Sequence, residues 1–196
     1  MKTYAQLNMN CLIIDTTSSS LIVAVLKGEQ VFSTSQKDCG LRHSTTINLA
    51  VEKALQDANL SFEDLDVLAC CIGPGSFTGI RIGVATAKGL KTALDNLKLV
   101  SFTSLNALAY NCQGECHCAM DAGNGLYYAK YDKTKCLHDP CLIDYCDTTG
   151  WQVFDNDCFL LQQEIDLVKD LIAEKAFVEN LSPLYIRKSQ AELNKK

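Results

Sequence analysis

The chain has 196 residues, with 18 Lys plus Arg against 23 Asp plus Glu and a formal net charge of -5. With 47% hydrophobic and 21% charged residues it is long enough and apolar enough for one large folded domain or two small lobes. The acidic balance excludes an autonomous nucleic-acid binder, and no apolar run nears the roughly 18 residues of a membrane span.

The opening stretch, MKTYAQLNMN, lacks the apolar core of a secretory signal. A cytoplasmic location is expected, with residues 1–10 as an extension outside the fold. Cys11 to Asp15 is an apolar, β-prone run ending in a carboxylate, and Thr16 to Ser20 make a polar bend. Leu21 to Leu26 and Gln30 to about Ser35 read as two more strands, joined at Lys27-Gly28-Glu29. Connections this short imply antiparallel neighbours. From Ser44 the period changes. Ile47, Ala50, Val51, Ala54, Leu55 and Ala58 form one stripe of an amphipathic helix that stops near Asn59.

A strand over Val67 to Ile72 then feeds the turn Gly73-Pro74-Gly75-Ser76-Phe77-Thr78-Gly79 and a second helix, about Ile80 to Leu94. Leu99 to Ser101 closes this half. The order β-β-β-α-β-α-β is that of an α/β lobe of ribonuclease-H-like or actin-like type. The second half opens the same way, with Cys116 to Met120, Asp121, the bend Ala122 to Gly125, and Leu126 to Tyr131. A repeated strand, Asp and polar turn is what a duplicated, two-lobed architecture produces. Weaker strand patterns follow around Cys141 to Tyr145 and Trp151 to Phe154, and a helix over about Leu160 to Ala176 places Leu161, Ile165, Val168 and Ile172 on one face. Pro183 keeps the tail extended. The division expected is a first lobe over 11–104 and a smaller second lobe over 105–196.

Several residues have the chemistry of a site. Asp15, at a strand end, has the place of a carboxylate that holds a metal-bound water near phosphates; alternatively it accepts hydrogen bonds from its own turn. Glycines between a strand and a helix let a backbone approach an anion, so Thr16, Gly73, Gly75 and Ser76 join Asp15 as candidate nucleotide contacts. The competing reading is a tight turn with Thr78 as N-cap and Phe77 as a hydrophobic staple. No Lys-Ser/Thr follows the last glycine, so this is not a Walker loop. A helical metal pair needs a second ligand four residues after His43, where Ile47 stands. The 11 cysteines are odd in number, and Cys11, Cys70 and Cys71 sit in apolar runs, as reduced thiols do. Cys112, Cys116, His117 and Cys118 have no common zinc spacing, and alternation puts Cys116 and Cys118 on one face and His117 on the other. No metal is expected.

The segments Cys11 to Thr17, Arg42-His43-Ser44, Ile72 to Gly83 and Ala87-Lys88-Gly89 together resemble the bacterial TsaB family. Met120-Asp121-Ala122, Leu126 to Ala129 and Pro183 to Arg187 are similar to its second hairpin and C-terminal motif, with a poor match between Lys133 and Phe159. The resemblance implies an actin-like ATPase (ASKHA) fold with a reduced second lobe, related to the catalytic TsaD subunits. Those hold a metal with a His-x-x-x-His pair, represented here by His43 and Ile47. It further implies a non-catalytic partner of TsaD, with TsaE joining, in forming threonylcarbamoyladenosine at position 37 of tRNAs that read ANN codons. tRNA would be met only through the complex, and ATP or ADP held weakly or only there. The implied contact is a four-helix packing with Ala50, Ala54, Ile80, Gly83 and Ala87 as interface residues, used for a homodimer when TsaD is absent. On that basis Gly83→Leu should weaken the complex and leave the monomer folded. The alternatives are an ATP-binding phosphotransferase of the same fold and a metallopeptidase-like enzyme.

Overall fold

A computed structural model describes residues 9–37, 43–155 and 158–187. Residues 1–8 and Arg42 lie outside the described residues. Five strands form the first sheet, in the order β3-β2-β1-β4-β5: β1 (Asn10–Asp15), β2 (Ile22–Lys27), β3 (Gln30–Ser33), β4 (Val67–Cys71) and β5 (Lys98–Phe102). β1 pairs antiparallel with β2 and parallel with β4. The second sheet has the order β8-β7-β6-β9, from β6 (Glu115–Asp121), β7 (Leu126–Asp132), β8 (Lys135–Ile143) and β9 (Gln152–Phe154). Here too the first strand pairs antiparallel with its successor and parallel with the strand after the hairpins. The halves therefore repeat one topology, down to the registers Asp15↔Ile22 and Asp121↔Leu126.

Strand alternation divides the core. Leu12, Ile14, Val23, Val25, Leu68 and Cys70 face α1 (His43–Asp57) and α2 (Phe77–Ala93). Cys11, Ile13, Ala24, Ala69, Cys71 and Val100 face the other way. They meet α3 (Ser104–Ala109), α4 (Leu161–Ala173) and the inward residues Cys116, Cys118, Met120, Tyr127, Ala129 and Tyr131 of the second sheet. One continuous hydrophobic cluster thus joins the two sheets through α3 and α4. The outer face of the second sheet carries rings: His117 stacks on Trp151 (centroids 5.2 Å), Tyr128 lies 5.1 Å from Trp151, and His117 Nδ1 meets the Tyr128 hydroxyl at 2.9 Å.

Some boundaries differ from the sequence reading. Asn10 belongs to β1 and not to an extension, because its N–H donates to Asp66 Oδ2 and its side-chain amide to Asp64 O, both at 2.8 Å. α2 begins earlier than Ile80, because Ser76 and not Thr78 caps it, accepting from Gly79 N at 3.2 Å. Phe77 becomes the first helical residue and stacks on Tyr185 (centroids 5.2 Å). β8 starts at Lys135, well before Cys141, and carries Pro140 on an edge strand whose register shifts against β7, where a missing N–H is tolerated. α3, six residues and all buried, had no counterpart in the periodicity; Thr103 caps it by accepting from Asn106 N at 3.0 Å.

Candidate functional site

The two Asp-ended hairpins bring their turns to one cleft of about 820 Å3. One wall is Thr17, Ser18, Ser19 and the start of α2 from Gly75 to Gly79; the other is Met120, Asp121, Ala122, Leu126 and Tyr127, with Phe154 and Asp155 beside them and Arg187 at the rim. The glycine turn fits because it has no side chain where the hairpin passes. A Cβ on Gly75 would run into the Thr17 carbonyl and one on Gly79 into the Thr16 carbonyl, and Gly75 also has φ +157°. Main-chain bonds lock the parts together: Ser76 N donates to Thr17 O at 2.7 Å, and Ser104 N to Gly73 O at 3.1 Å. Below them Thr17 Oγ1 and Ser104 Oγ are 3.0 Å apart, and the Ser104 hydroxyl donates to Pro74 O at 2.9 Å.

The five candidate nucleotide contacts are not all brought to this cleft. Gly75 and Ser76 line it; Asp15, Thr16 and Gly73 do not. Thr16 is buried and its hydroxyl donates to Gly79 O at 2.7 Å, which ties β1 to α2. Asp15 accepts from Thr17 N at 2.6 Å, the local turn bond that an Asp makes with its own loop. Its counterpart does the same: Asp121 accepts from Gly123 N at 2.8 Å and from the Tyr145 hydroxyl at 2.9 Å. Those two donors hold the Asp121 carboxyl below its ordinary range.

Behind Asp15 lies a group that the sequence reading passed over. Glu164 of α4 is completely buried, and neither carboxyl oxygen has a well-formed hydrogen bond. Burial, and then the charge and carboxyl of Asp15, push the Glu164 carboxyl well above its ordinary range. Glu164 therefore holds its proton above the usual carboxylate range. The signal was present as a lone Glu beside Ile165 on the apolar stripe, a residue type almost never fully buried without a partner.

A strap from the C-terminal segment crosses the site. Leu184 N donates to Ile72 O at 2.8 Å, and the Tyr185 hydroxyl accepts from Arg81 Nε at 2.9 Å. Arg187 lies over the Phe77 ring (5.9 Å) and donates to Ala122 O at 2.7 Å and Asn124 Oδ1 at 3.2 Å. The strap thus bonds to both walls. The sequence marked Pro183 to Arg187 as a motif without showing what it touches.

The five residues expected at a helical interface need correction. Ala50, Ala54, Ile80, Gly83 and Ala87 all face the first sheet and are buried. A Cβ on Gly83 would come within 2.5 Å of Thr16 Oγ1, so the small residue serves the packing of α2 on β1. The outward positions are different ones: Leu49 on α1, 66% exposed, and Ala85, Gly89 and Ala93 at four-residue spacing on α2, with space open around Gly89. On α1 Ile47, one turn after His43, is 2% exposed and packed in the core. Cys116 and Cys118 face inward and His117 outward, as alternation requires. Among the described residues no three His, Cys, Asp or Glu side chains gather as a metal site. None of the described helices is long and apolar enough to cross a membrane.

Comparison with known proteins bears on this arrangement. The family model of TsaD, tRNA N6-adenosine threonylcarbamoyltransferase, matches residues 33–150. The tRNA threonylcarbamoyladenosine biosynthesis protein TsaB of Bacillus subtilis is 36% identical over 103 residues, 53% of this chain and 44% of that protein. The TsaB protein of Escherichia coli is 31% identical over 131 residues, 64% and 56% of the two chains. The chain thus spans about half the length of the curated relatives it matches. In three dimensions it is similar to a Pseudomonas aeruginosa protein described as similar to peptidase YeaZ, with TM-score 0.78 at 21% identity, covering 91% of this chain and all of that one. YeaZ from the same organism aligns with TM-score 0.76 over 90% of this chain and 99% of its own. The fold is an α/β fold of the actin-like ATPase type. With the TsaD model over more than half its length and TsaB proteins as its curated relatives, the chain belongs to the TsaD family, on its TsaB branch.

Proposed function

We propose that this chain is a non-catalytic subunit that supports a TsaD-type enzyme in forming threonylcarbamoyladenosine at position 37 of tRNAs reading ANN codons. Membership of the TsaB branch supports the pathway. The observation that carries the non-catalytic reading is Ile47: the position where a helical His-x-x-x-His pair would need its second ligand holds a buried aliphatic side chain. TsaD docks on the outer faces of α1 and α2. Leu49 supplies apolar area there, and Ala85, Gly89 and Ala93 allow a partner helix to lie close. A TsaE-type ATPase joins this pair, the tRNA is met through the assembly, and a homodimer uses the same face when TsaD is absent.

The test is calorimetric titration of a TsaD homologue into the chain and into its Gly89→Leu variant. Tight binding by the parent, weakened at least tenfold in the variant, is the expected result. Absence of binding by the folded parent chain refutes the proposal, and equal affinities remove α2 from the contact.

One observation favours a second reading, ATP binding by the isolated chain: Ser18, Ser19, Ser76 and Thr78 line the cleft beside Arg187, a set that suits phosphates. Titration with Mg-ATP separates the two. Saturable micromolar binding by the chain alone favours the phosphotransferase reading, and a flat titration the docking one.

A further inference from the structure

After α3 the chain reverses at Gly114, whose φ is +76°, and returns as β6. The reversal lays Cys112 against the first inward residue of that strand. Cys112 Sγ is 2.7 Å from Cys116 Sγ, and Cys116 Sγ is 3.6 Å from Cys118 Sγ. Cys112 is partly exposed, while Cys116 and Cys118 are buried in the core that joins the two sheets. Of the two neighbouring pairs, one suits a covalent bridge. Cys116 and Cys118 stand two residues apart on a single strand, about 6.8 Å between Cα atoms and at the outer limit for a disulfide. Cys112 and Cys116 come from two segments that face each other across a tight turn, and a small side-chain rotation brings their sulfurs to the ~2.05 Å of a disulfide bond.

We propose that Cys112 and Cys116 form an oxidisable dithiol whose substrate is a small-molecule disulfide such as glutathione disulfide, with Cys112 as the attacking thiol and Cys116 as the resolving one. Exposure sets the order of events. Cys112 loses its proton to solvent and its sulfur attacks one sulfur of R–S–S–R. A Cys112–S–S–R bond forms, the original S–S bond breaks, and the departing thiolate takes up a proton. Cys116 then loses its proton and attacks Cys112 Sγ, expelling the second thiolate, which is protonated in turn. Two protein thiols have given up two electrons, and one small disulfide has become two thiols. Burial and the hydrogen bond to Cys116 push the Cys112 thiol up to about 12, so the first step is slow at neutral pH. The bridge pins the end of α3 to the start of β6, in the segment that carries the chain from one sheet to the other.

The test is incubation of the reduced full chain with glutathione disulfide under native conditions, alkylation of the remaining thiols, and mass spectrometry of the tryptic peptide Leu99–Lys130, which holds all three cysteines. The expected peptide is lighter by two hydrogens and carries one alkyl group, on Cys118. In Cys116→Ser the reaction stalls with glutathione on Cys112. In Cys112→Ala, at a partly exposed position, Cys116 and Cys118 are both alkylated. Full alkylation of all three in the parent, while exposed Cys136 and Cys146 have taken up glutathione, overturns the proposal. So does a Cys116–Cys118 bridge with Cys112 alkylated.

Discussion

Replacing Glu164 by Gln tests the proton that the interior of this protein keeps. Glu164 is wholly buried beside Asp15 and Cys71, with the Cys71 thiol also raised by burial and by the charge of Asp15. In the unfolded chain a Glu loses its proton near pH 4.5; in the folded chain it holds the proton to a much higher pH. Between the two values the native state binds more protons than the unfolded one, so stability falls as pH rises. The slope is about 1.4 kcal/mol per pH unit for one proton. Below pH 4.5 both states are protonated and the term vanishes. Gln keeps the shape and has no proton to lose. Urea unfolding of parent and Glu164→Gln in reductant, at intervals from pH 4.5 to 8, should give curves that nearly coincide at the acid end. They should then diverge in favour of the variant at about that slope. A stability difference that stays constant across this range would refute a buried proton on Glu164.

The glycines of α2 separate packing from docking. Gly83→Leu should destabilise the chain by about 3 kcal/mol through overpacking against Thr16, in contrast to the expectation of a folded monomer. Gly89→Leu, with open space around it, should raise stability by about 0.8 kcal/mol through helix propensity; both are read by chemical denaturation. Gly79→Ala drives a methyl into the Thr16 carbonyl and should lower the thermal midpoint more than Gly89→Ala does. Arg187→Ala removes two hydrogen bonds to the β6–β7 turn and a ring contact with Phe77, worth about 2 kcal/mol together. It should speed amide exchange at Gly123 and Gly125, with β1 unaffected.

Most of the first half was legible because each segment carries its own period. The stripe from Ile47 to Ala58 predicted α1 nearly to its ends, and the run from Cys11 to Asp15 predicted β1. The echo between the two Asp-ended hairpins was visible as a pattern and is matched by a common strand order. What stayed hidden depends on tertiary placement. Period alone does not say whether Gly83 or Gly89 faces the sheet, since both are small and lie on one helix. It does not say that Asp15 turns to its own loop and to Glu164 instead of the cleft, because the partner is about 150 residues away in sequence. The α3 segment, six residues long, is shorter than a helical stripe needs, and β8 was obscured by Pro140 and by the charges that an exposed edge tolerates.

The strap makes completion of the first half depend on the last part of the chain. Leu181 fills a slot in the core shared with α1 and α2, Val178 pairs with Leu99, and Leu184 satisfies the carbonyl of Ile72 just before the glycine turn. A ribosome releases these residues only after both sheets have emerged. The nascent first sheet must therefore wait with an empty apolar slot beside β5 and a carbonyl unserved at Ile72, and the cleft's two walls, one from each half, gain the Arg187 bridge only afterwards.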